Sequence, residues 1–181
     1  MNIRMLAAAA AVALPMAMAG VANAADSGVT YTGELGYTRA EFQDSTPSVG
    51  LNTIHGRVGA QFNQNWGVEA EAATSLGSDK EKVGAVNVSF KMNYLVGAFV
   101  VGSLPVNENT SVFARVGVAS AELEGKGPGG TASDSESGWG VGAGVKWFPN
   151  GGANGLRVEY TRYDFDGDGV NAFGVGYVRK F

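Results

Sequence analysis

Apolar and polar residues alternate along most of this chain. In the last segment, 171–181, which reads N-A-F-G-V-G-Y-V-R-K-F, large apolar residues alternate with alanine and glycine. Alternation with a period of two places successive side chains on opposite faces of a β-strand. A terminal strand has an unpaired edge unless a closed barrel pairs it with another strand. The pattern therefore predicts a last strand that pairs with the first.

The same alternation predicts eight strands separated by polar or turn-forming segments. The first seven cover residues 29–40, 51–62, 66–76, 83–104, 111–121, 139–148 and 156–163, and the eighth lies within 171–181. Longer polar connections are predicted at 41–50, 78–82 and 122–138, and a short acidic one at 164–169. An even number of strands places both chain ends on one side, as in outer-membrane barrels. Residues 95–101 are apolar on both faces, so the pattern does not decide which of their side chains face the barrel interior.

The apolar faces are predicted to point outward into lipid, whereas a soluble barrel would turn them inward. Aromatic residues near the strand ends predict two girdles at the membrane interfaces: Tyr31, Tyr37, Phe62, Trp66, Trp139, Trp147, Tyr160 and Phe173. At the usual strand rise and tilt, Trp139 and Trp147 would differ in height by roughly 21 Å. That separation approximates the apolar band of such barrels, about 25 Å tall.

The polar faces carry one charged residue from each of five strands at similar predicted heights. The five residues are Glu34, Arg57, Glu71, Arg115 and Glu159. Buried charges are costly unless they are paired, so these residues predict an interior charge network. Glycines at 140, 142 and 144 lie on the same face and would leave room for long side chains.

Residues 1–24 have the form of a secretory signal peptide. Arg4 precedes an apolar run, and Ala22-Asn23-Ala24 supplies a small–x–small cleavage site. We therefore expect a signal peptide at 1–24 and a barrel domain at 25–181. Without Arg4 the net charge is −5, which argues against nucleic acid as a partner. The chain contains no cysteine, so an exported domain must be held together by a large enough barrel or core instead of disulfides.

Three motifs that could carry chemistry have simpler interpretations. His55, the only histidine, faces the predicted interior, where a structural hydrogen bond is favoured over catalysis. The D-F-D-G-D-G run at 164–169 copies the start of a calcium loop, but Val175 stands where the closing glutamate should be. An acidic surface loop is favoured there, and cation binding stays open. The glycine-rich run at 138–144 lies inside a strand and is interpreted as packing. We predict no catalytic residue, metal or cofactor.

Nearly the whole mature chain resembles the small outer-membrane β-barrel family that includes the OmpA transmembrane domain, OmpX and Ail proteins, and opacity proteins. Most of the likeness lies in S-L-P-V-N-E-N-T-S-V-F-A-R-V-G (103–117) and L-R-V-E-Y-T-R-Y-D-F (156–165). The last strand is similar to the terminal signal read by the barrel-assembly machinery, although Arg179 departs from it. The matching residues are Phe173, Val175, Tyr177 and Phe181.

The resemblance implies an all-β, eight-stranded, antiparallel up-and-down transmembrane barrel in a Gram-negative outer membrane. It implies a monomer in contact with outer-membrane lipid and lipopolysaccharide. Its extracellular loops would serve a structural or surface-interaction role in adhesion or envelope integrity. A narrow porin-like channel for small solutes is the alternative, and a lipid-modifying enzyme is a third, less favoured one. The sequence does not identify a ligand of the loops.

Overall fold

The computed structural model describes residues 28–42, 50–77, 79–83, 86–127, 130–165 and 168–181. The predicted signal peptide lies outside these residues. Within them no helix is long and apolar enough to cross a membrane. The described chain forms one antiparallel sheet of nine strands. These are β1 (Thr30–Phe42), β2 (Gly50–Gln61), β3 (Trp66–Ser75), β4 (Asp79–Val83), β5 (Val86–Pro105), β6 (Thr110–Gly127), β7 (Gly130–Trp147), β8 (Asn154–Phe165) and β9 (Asp168–Lys180).

Eight of these strands close into a barrel. Neighbours follow the order β3-β2-β1-β9-β8-β7-β6-β5, and β3 also pairs with β5. The first and last strands pair in antiparallel register, with Thr38 opposite Gly174. The predicted eight-stranded barrel is therefore confirmed. The remaining strand, β4, pairs with the beginning of β5 beyond the point where β3 ends.

Short connections and both described chain ends gather at one end of the barrel, which we call the turn end. At the β2–β3 connection, the Phe62 amide donates to the Trp66 carbonyl at 2.9 Å. A short 3-10 turn, Pro149–Gly151, joins β7 to β8. The Phe181 amide donates to the Tyr31 carbonyl at 2.9 Å, which fastens the C-terminus beside the first strand. The opposite end, with the longer connections, is the loop end.

Three segments predicted as connections lie largely in strands instead. At 164–169, β8 runs to Phe165 and β9 begins at Asp168. The prediction for 122–138 is wrong because β6 and β7 continue through it and pair up to Gly127 and Gly130. Gly130 has a φ of 124°, which favours glycine at this hairpin tip. The prediction for 78–82 is also wrong, since β4 covers most of it. These strands were not predicted because both of their faces carry polar residues. A strand that extends into water needs no apolar face, so its sequence shows no alternation of apolar and polar residues.

The barrel turns its apolar face outward, as predicted. Along β5, Leu95, Phe99 and Val101 are buried in the lumen. Val100, which lies between two of them, is 48 % exposed on the outer wall. This difference in exposure shows which side chains of residues 95–101 face the lumen. The run is apolar on both faces because this part of β5 contacts lipid outside and an apolar part of the lumen inside.

Candidate functional site

The lumen contains a buried network with equal numbers of acidic and basic side chains. Its members come from six strands, and the side chain of each is at most 9 % exposed. The acids are Glu34, Glu69, Glu71 and Glu159, and the bases are Arg57, Arg115, Lys146 and Arg157. Opposite charges in close contact offset part of the cost of removing each from water.

Arg57 on β2 lies at the centre of this network. Its Nη1 donates to Glu34 Oε1 at 2.6 Å, and its Nε donates to Glu71 Oε2 at 2.7 Å. Both acids are its direct cross-strand neighbours, on β1 and β3. Its Nη2 also donates to Glu159, which projects from β8 on another part of the wall. One guanidinium thereby connects four strands.

Arg115 on β6 binds the same group of acids from the other side. Its Nη1 donates to Glu71 Oε2 at 2.8 Å, and its Nη2 donates to the Tyr163 hydroxyl at 2.9 Å. Tyr163 in turn donates to Glu71. The Arg115 guanidinium lies 3.9 Å from the centre of the Phe99 ring, a cation–π contact inside the lumen. The structure thus brings all five predicted charges together.

Three further charged residues, missed by the sequence reasoning, form a layer nearer the turn end. Lys146 Nζ donates to Glu69 Oε1 at 3.0 Å, and Arg157 Nη1 donates to the same oxygen at 2.8 Å. Arg157 Nη2 also pairs with Glu159 Oε2 at 2.6 Å. The signal was present, because Glu69 and Arg157 precede Glu71 and Glu159 by two residues and so share their inward faces.

Glycines on the inner wall make room for the network. A Cβ on Gly176 would lie 3.0 Å from Glu34 Cγ, and a Cβ on Gly144 would lie 2.7 Å from Phe113 Cζ. The Phe113 ring supports the Arg157 guanidinium at 4.1 Å from its centre. The run at 138–144 therefore serves packing within β7, where it pairs with β6 and β8.

His55 joins the network at its loop-end side. Its Nδ1 lies 2.9 Å from Thr38 Oγ1, and its Nε2 lies 3.0 Å from Glu34 Oε1. This order of hydroxyl, imidazole and carboxylate also occurs in nucleophilic catalysis. Acyl transfer additionally requires free donors for an oxyanion. Thr38 lies within β1, where the backbone pairs with β2 and β9, and Glu34 is already bound to Arg57 and Arg157. The arrangement therefore fits a structural histidine.

Towards the loop end the lumen becomes apolar, which the sequence reasoning did not anticipate. The buried cluster there consists of Leu51, Met92, Leu95, Phe99, Ala119, Ala121, Tyr163, Phe165, Val170 and Ala172. These side chains leave a cavity of only about 50 Å³ above His55 and Arg57. The apolar layer shields the ion pairs from water on that side, which strengthens their electrostatic attraction.

The predicted girdle residues lie on the outer wall. Those more than a third exposed are Tyr37, Phe62, Trp66, Trp139, Trp147, Tyr160 and Phe173, and Tyr31 is half-buried. Tyr160 and Phe173 are cross-strand neighbours with ring centres 5.0 Å apart. The Tyr37 hydroxyl donates to Asn52 at 2.5 Å, and the Tyr160 hydroxyl donates to Asn171 at 2.7 Å. An apolar ring with a satisfied polar tip suits a membrane interface.

Three residues of the predicted assembly signal face outward on β9, and the fourth, Phe181, directly follows the strand. Phe173, Val175, Tyr177 and Phe181 are each about half exposed. The calcium-like run falls partly outside the described residues, at 166–167. Among the side chains that are described, no group of three or more metal-binding residues is present.

A closed barrel with a lipid-compatible wall and a charged lumen defines the class of small outer-membrane barrels. The chain belongs to the outer membrane protein beta-barrel domain family, whose model matches residues 5–181. It is accordingly a protein of the Gram-negative outer membrane. A comparison with curated proteins gives no match.

Solved structures show the same fold at low identity. Ail of Yersinia pestis, crystallised with the heparin analogue sucrose octasulfate, is 20 % identical with a TM-score of 0.64, over 84 % of this chain and 99 % of that one. Neisserial surface protein A is 14 % identical with a TM-score of 0.62, over 83 % and 97 %. OprG of Pseudomonas aeruginosa is 10 % identical with a TM-score of 0.55, over 86 % and 96 %.

Proposed function

We propose that this protein is a structural and surface-interaction barrel that presents the β6–β7 hairpin outside the cell. The observation that carries this proposal is the length of the hairpin. β7 pairs with β8 only as far as Gly138, but it pairs with β6 as far as Gly130. From Gly138 to Gly130 the strand extends roughly 21 Å further at the usual rise and tilt.

The hairpin combines regular pairing with polar chemistry. Asn93 Nδ2 donates to Glu122 Oε1 at 2.9 Å, and Ser120 Oγ donates to the Glu136 carbonyl at 3.1 Å. Residues 122–138 contain four acids and one lysine. A paired, acidic surface supports contact with neutral or basic partners. It repels sulfated polyanions such as the heparin analogue bound to Ail.

The lumen supports a non-conducting role. Arg57 and Arg115 connect facing walls of the barrel and are 5 % and 1 % exposed. Eight-stranded barrels are narrow enough for side chains to fill them. We therefore expect no steady ion conductance in planar bilayers at moderate voltage. Regular conducting steps would favour the narrow-channel alternative instead.

We also infer a non-catalytic monomer. Both ring nitrogens of His55 are engaged in hydrogen bonds, one with Thr38 and one with Glu34. This supports a structural role for the histidine. The closed circuit of eight strands leaves no edge within the barrel wall for pairing with a second copy. On the outer wall, the exposed aromatic girdles suit contact with membrane lipid and, in the outer leaflet, lipopolysaccharide.

A shortened hairpin tests the proposed function. Ala121 and Glu136 are cross-strand partners, so residues 122–135 can be replaced by Asn-Gly, a two-residue hairpin turn. Bacteria producing this variant should keep normal outer-membrane levels but lose adhesion to epithelial monolayers. A matched control replaces only 128–129 with Asn-Gly and keeps the length. Full adhesion by the shortened variant would contradict the proposal.

A further inference from the structure

A second cavity lies at the turn end of the lumen, below the ion network and far from the β6–β7 hairpin. It has a volume of about 430 Å³. Its walls include Lys146, Phe148 and Lys180 together with polar side chains of the β2–β3 and β5–β6 turns. The chain ends and short turns meet here, so the cavity faces the periplasm.

Lys180 supplies a positive charge without a carboxylate partner among the described residues. It is half-buried at an inward-facing position of β9, two residues after the buried Val178. Its Nζ lies 3.6 Å from the centre of the Phe148 ring. The second lysine of the cavity, Lys146, is paired with Glu69 at 3.0 Å. Lys180 therefore provides the uncompensated charge.

Three asparagines add neutral donors to the same cavity. Asn63 Oδ1 accepts from the amides of Asn65 and Trp66, both at 2.9 Å. Asn107 Oδ1 accepts from the Asn109 amide at 2.9 Å. Asn109 Oδ1 accepts from the Gly151 amide at 2.7 Å. Each of these side-chain oxygens accepts a hydrogen bond that stabilises a turn. The Nδ2 of each asparagine has no acceptor within the described chain and can therefore donate to a ligand.

We propose that this cavity binds a compact phosphate or carboxylate anion. Lys180 would form the ion pair, and the asparagine amides would donate hydrogen bonds to the anion's remaining oxygens. Glu108, exposed at the rim, opposes the anion and limits its affinity. The proposal goes beyond the surface role and does not depend on it, since the two sites lie at opposite ends of the barrel.

Titration with sodium pyrophosphate tests the site on the full mature protein. Dodecyl maltoside micelles carry no phosphate or carboxylate, and sodium chloride keeps the ionic strength constant. We expect saturable shifts of backbone amide NMR signals in the β2–β3 and β5–β6 turns. Lys180→Gln should weaken the affinity about 10-fold or more, because a charge-assisted hydrogen bond is lost. Glu108→Gln should strengthen it.

Two matched variants separate binding from folding. Asn107→Asp keeps the Oδ1 that accepts from the Asn109 amide but replaces the donor with a carboxylate oxygen. It should abolish binding while the turn signals stay folded. Lys91→Gln removes the same charge as Lys180→Gln from an exposed position on β5, remote from the cavity, and should leave the affinity unchanged.

The proposal is overturned if the turn signals show no saturation, or if Lys180→Gln and Lys91→Gln bind pyrophosphate equally well. Adding phosphatidylglycerol to the micelles identifies the source of the anion. Competition with pyrophosphate would assign the site to a lipid head group, and unchanged binding would assign it to a soluble anion.

Discussion

Arg115 and Glu71 form an ion pair across the lumen, with 2.8 Å between Nη1 and Oε2. The sequence left three acids open as partners of Arg115, namely Glu34, Glu71 and Glu159. Glu159 is 4.0 Å from the Arg115 guanidinium, so its contact is the weaker one. Glu71 is the partner because the Phe99 ring and the Tyr163 hydroxyl hold the guanidinium in position.

Replacing Arg115 with methionine should destabilise the barrel by about 3–5 kcal/mol, the usual cost of breaking a buried ion pair, because the network is left with four acids and only three bases. Glu71→Gln in the same chain should recover part of that loss. A double-mutant cycle, with urea unfolding in lipid vesicles, measures the coupling between the two residues.

Arg39→Met is the matched control for this cycle. Arg39 pairs with Glu41 at 3.0 Å, but both side chains are about half exposed. Exposed pairs contribute little, so this variant should change the free energy of unfolding by less than about 1 kcal/mol. A neutral Arg115→Met that couples to none of the three acids would show that the lumen is water-filled.

Gly144→Ala should destabilise the barrel by about 1–3 kcal/mol, the usual cost of overpacking. Its Cβ would clash with the backbone carbonyl oxygen of Val158 on β8 and would lie 2.7 Å from Phe113 Cζ, and Phe113 supports Arg157. Gly56→Ala is the control, because its nearest neighbour would be 3.9 Å away. Urea midpoints in vesicles compare the two variants. Equal midpoints would contradict this, because both the Val158 backbone and the Phe113 ring would then have to adjust at no cost.

The folded protein should migrate differently in SDS gels before and after boiling. Every barrel strand pairs on both sides, so no backbone edge is open to detergent within the wall. Gel mobility of unheated and boiled membrane fractions is the measurement. Identical mobility of the two samples would contradict a stable closed barrel.

Residues within the membrane were easier to predict than those outside it. Phe173 and Val175 show the strict alternation that a wall between lipid and a polar lumen requires, so β9 and its pairing with β1 were predictable. The β6–β7 hairpin has water on both sides, and Glu122 or Ser135 carries no periodic signal there. The apolar cluster around Leu95 was missed because lumen polarity was assumed to be uniform along the barrel.

The sequence predicted that charged residues would pair inside the barrel, but it did not predict which residues contact each other. Glu34, Arg57 and Glu71 are direct cross-strand neighbours, so knowing the register of the first three strands would suffice to pair them. The contact between Arg57 and Glu159 spans the lumen. It depends on strand tilt and stagger, which alternation does not specify.

Deleting Phe181 should reduce the amount of folded protein in the outer membrane more than it reduces refolding into vesicles. The residue donates one backbone hydrogen bond to Tyr31, and its ring lies against Gly33. These contacts are few, so we predict that its main role is as part of the signal read during assembly. Phe62→Ala is the control, since Phe62 is a similarly exposed aromatic residue at the turn end. Cell fractionation gives the first quantity, and urea-dilution refolding into vesicles gives the second. If the deletion impairs both processes equally, Phe181 acts through barrel stability; if it impairs neither, the terminal residue carries no assembly signal.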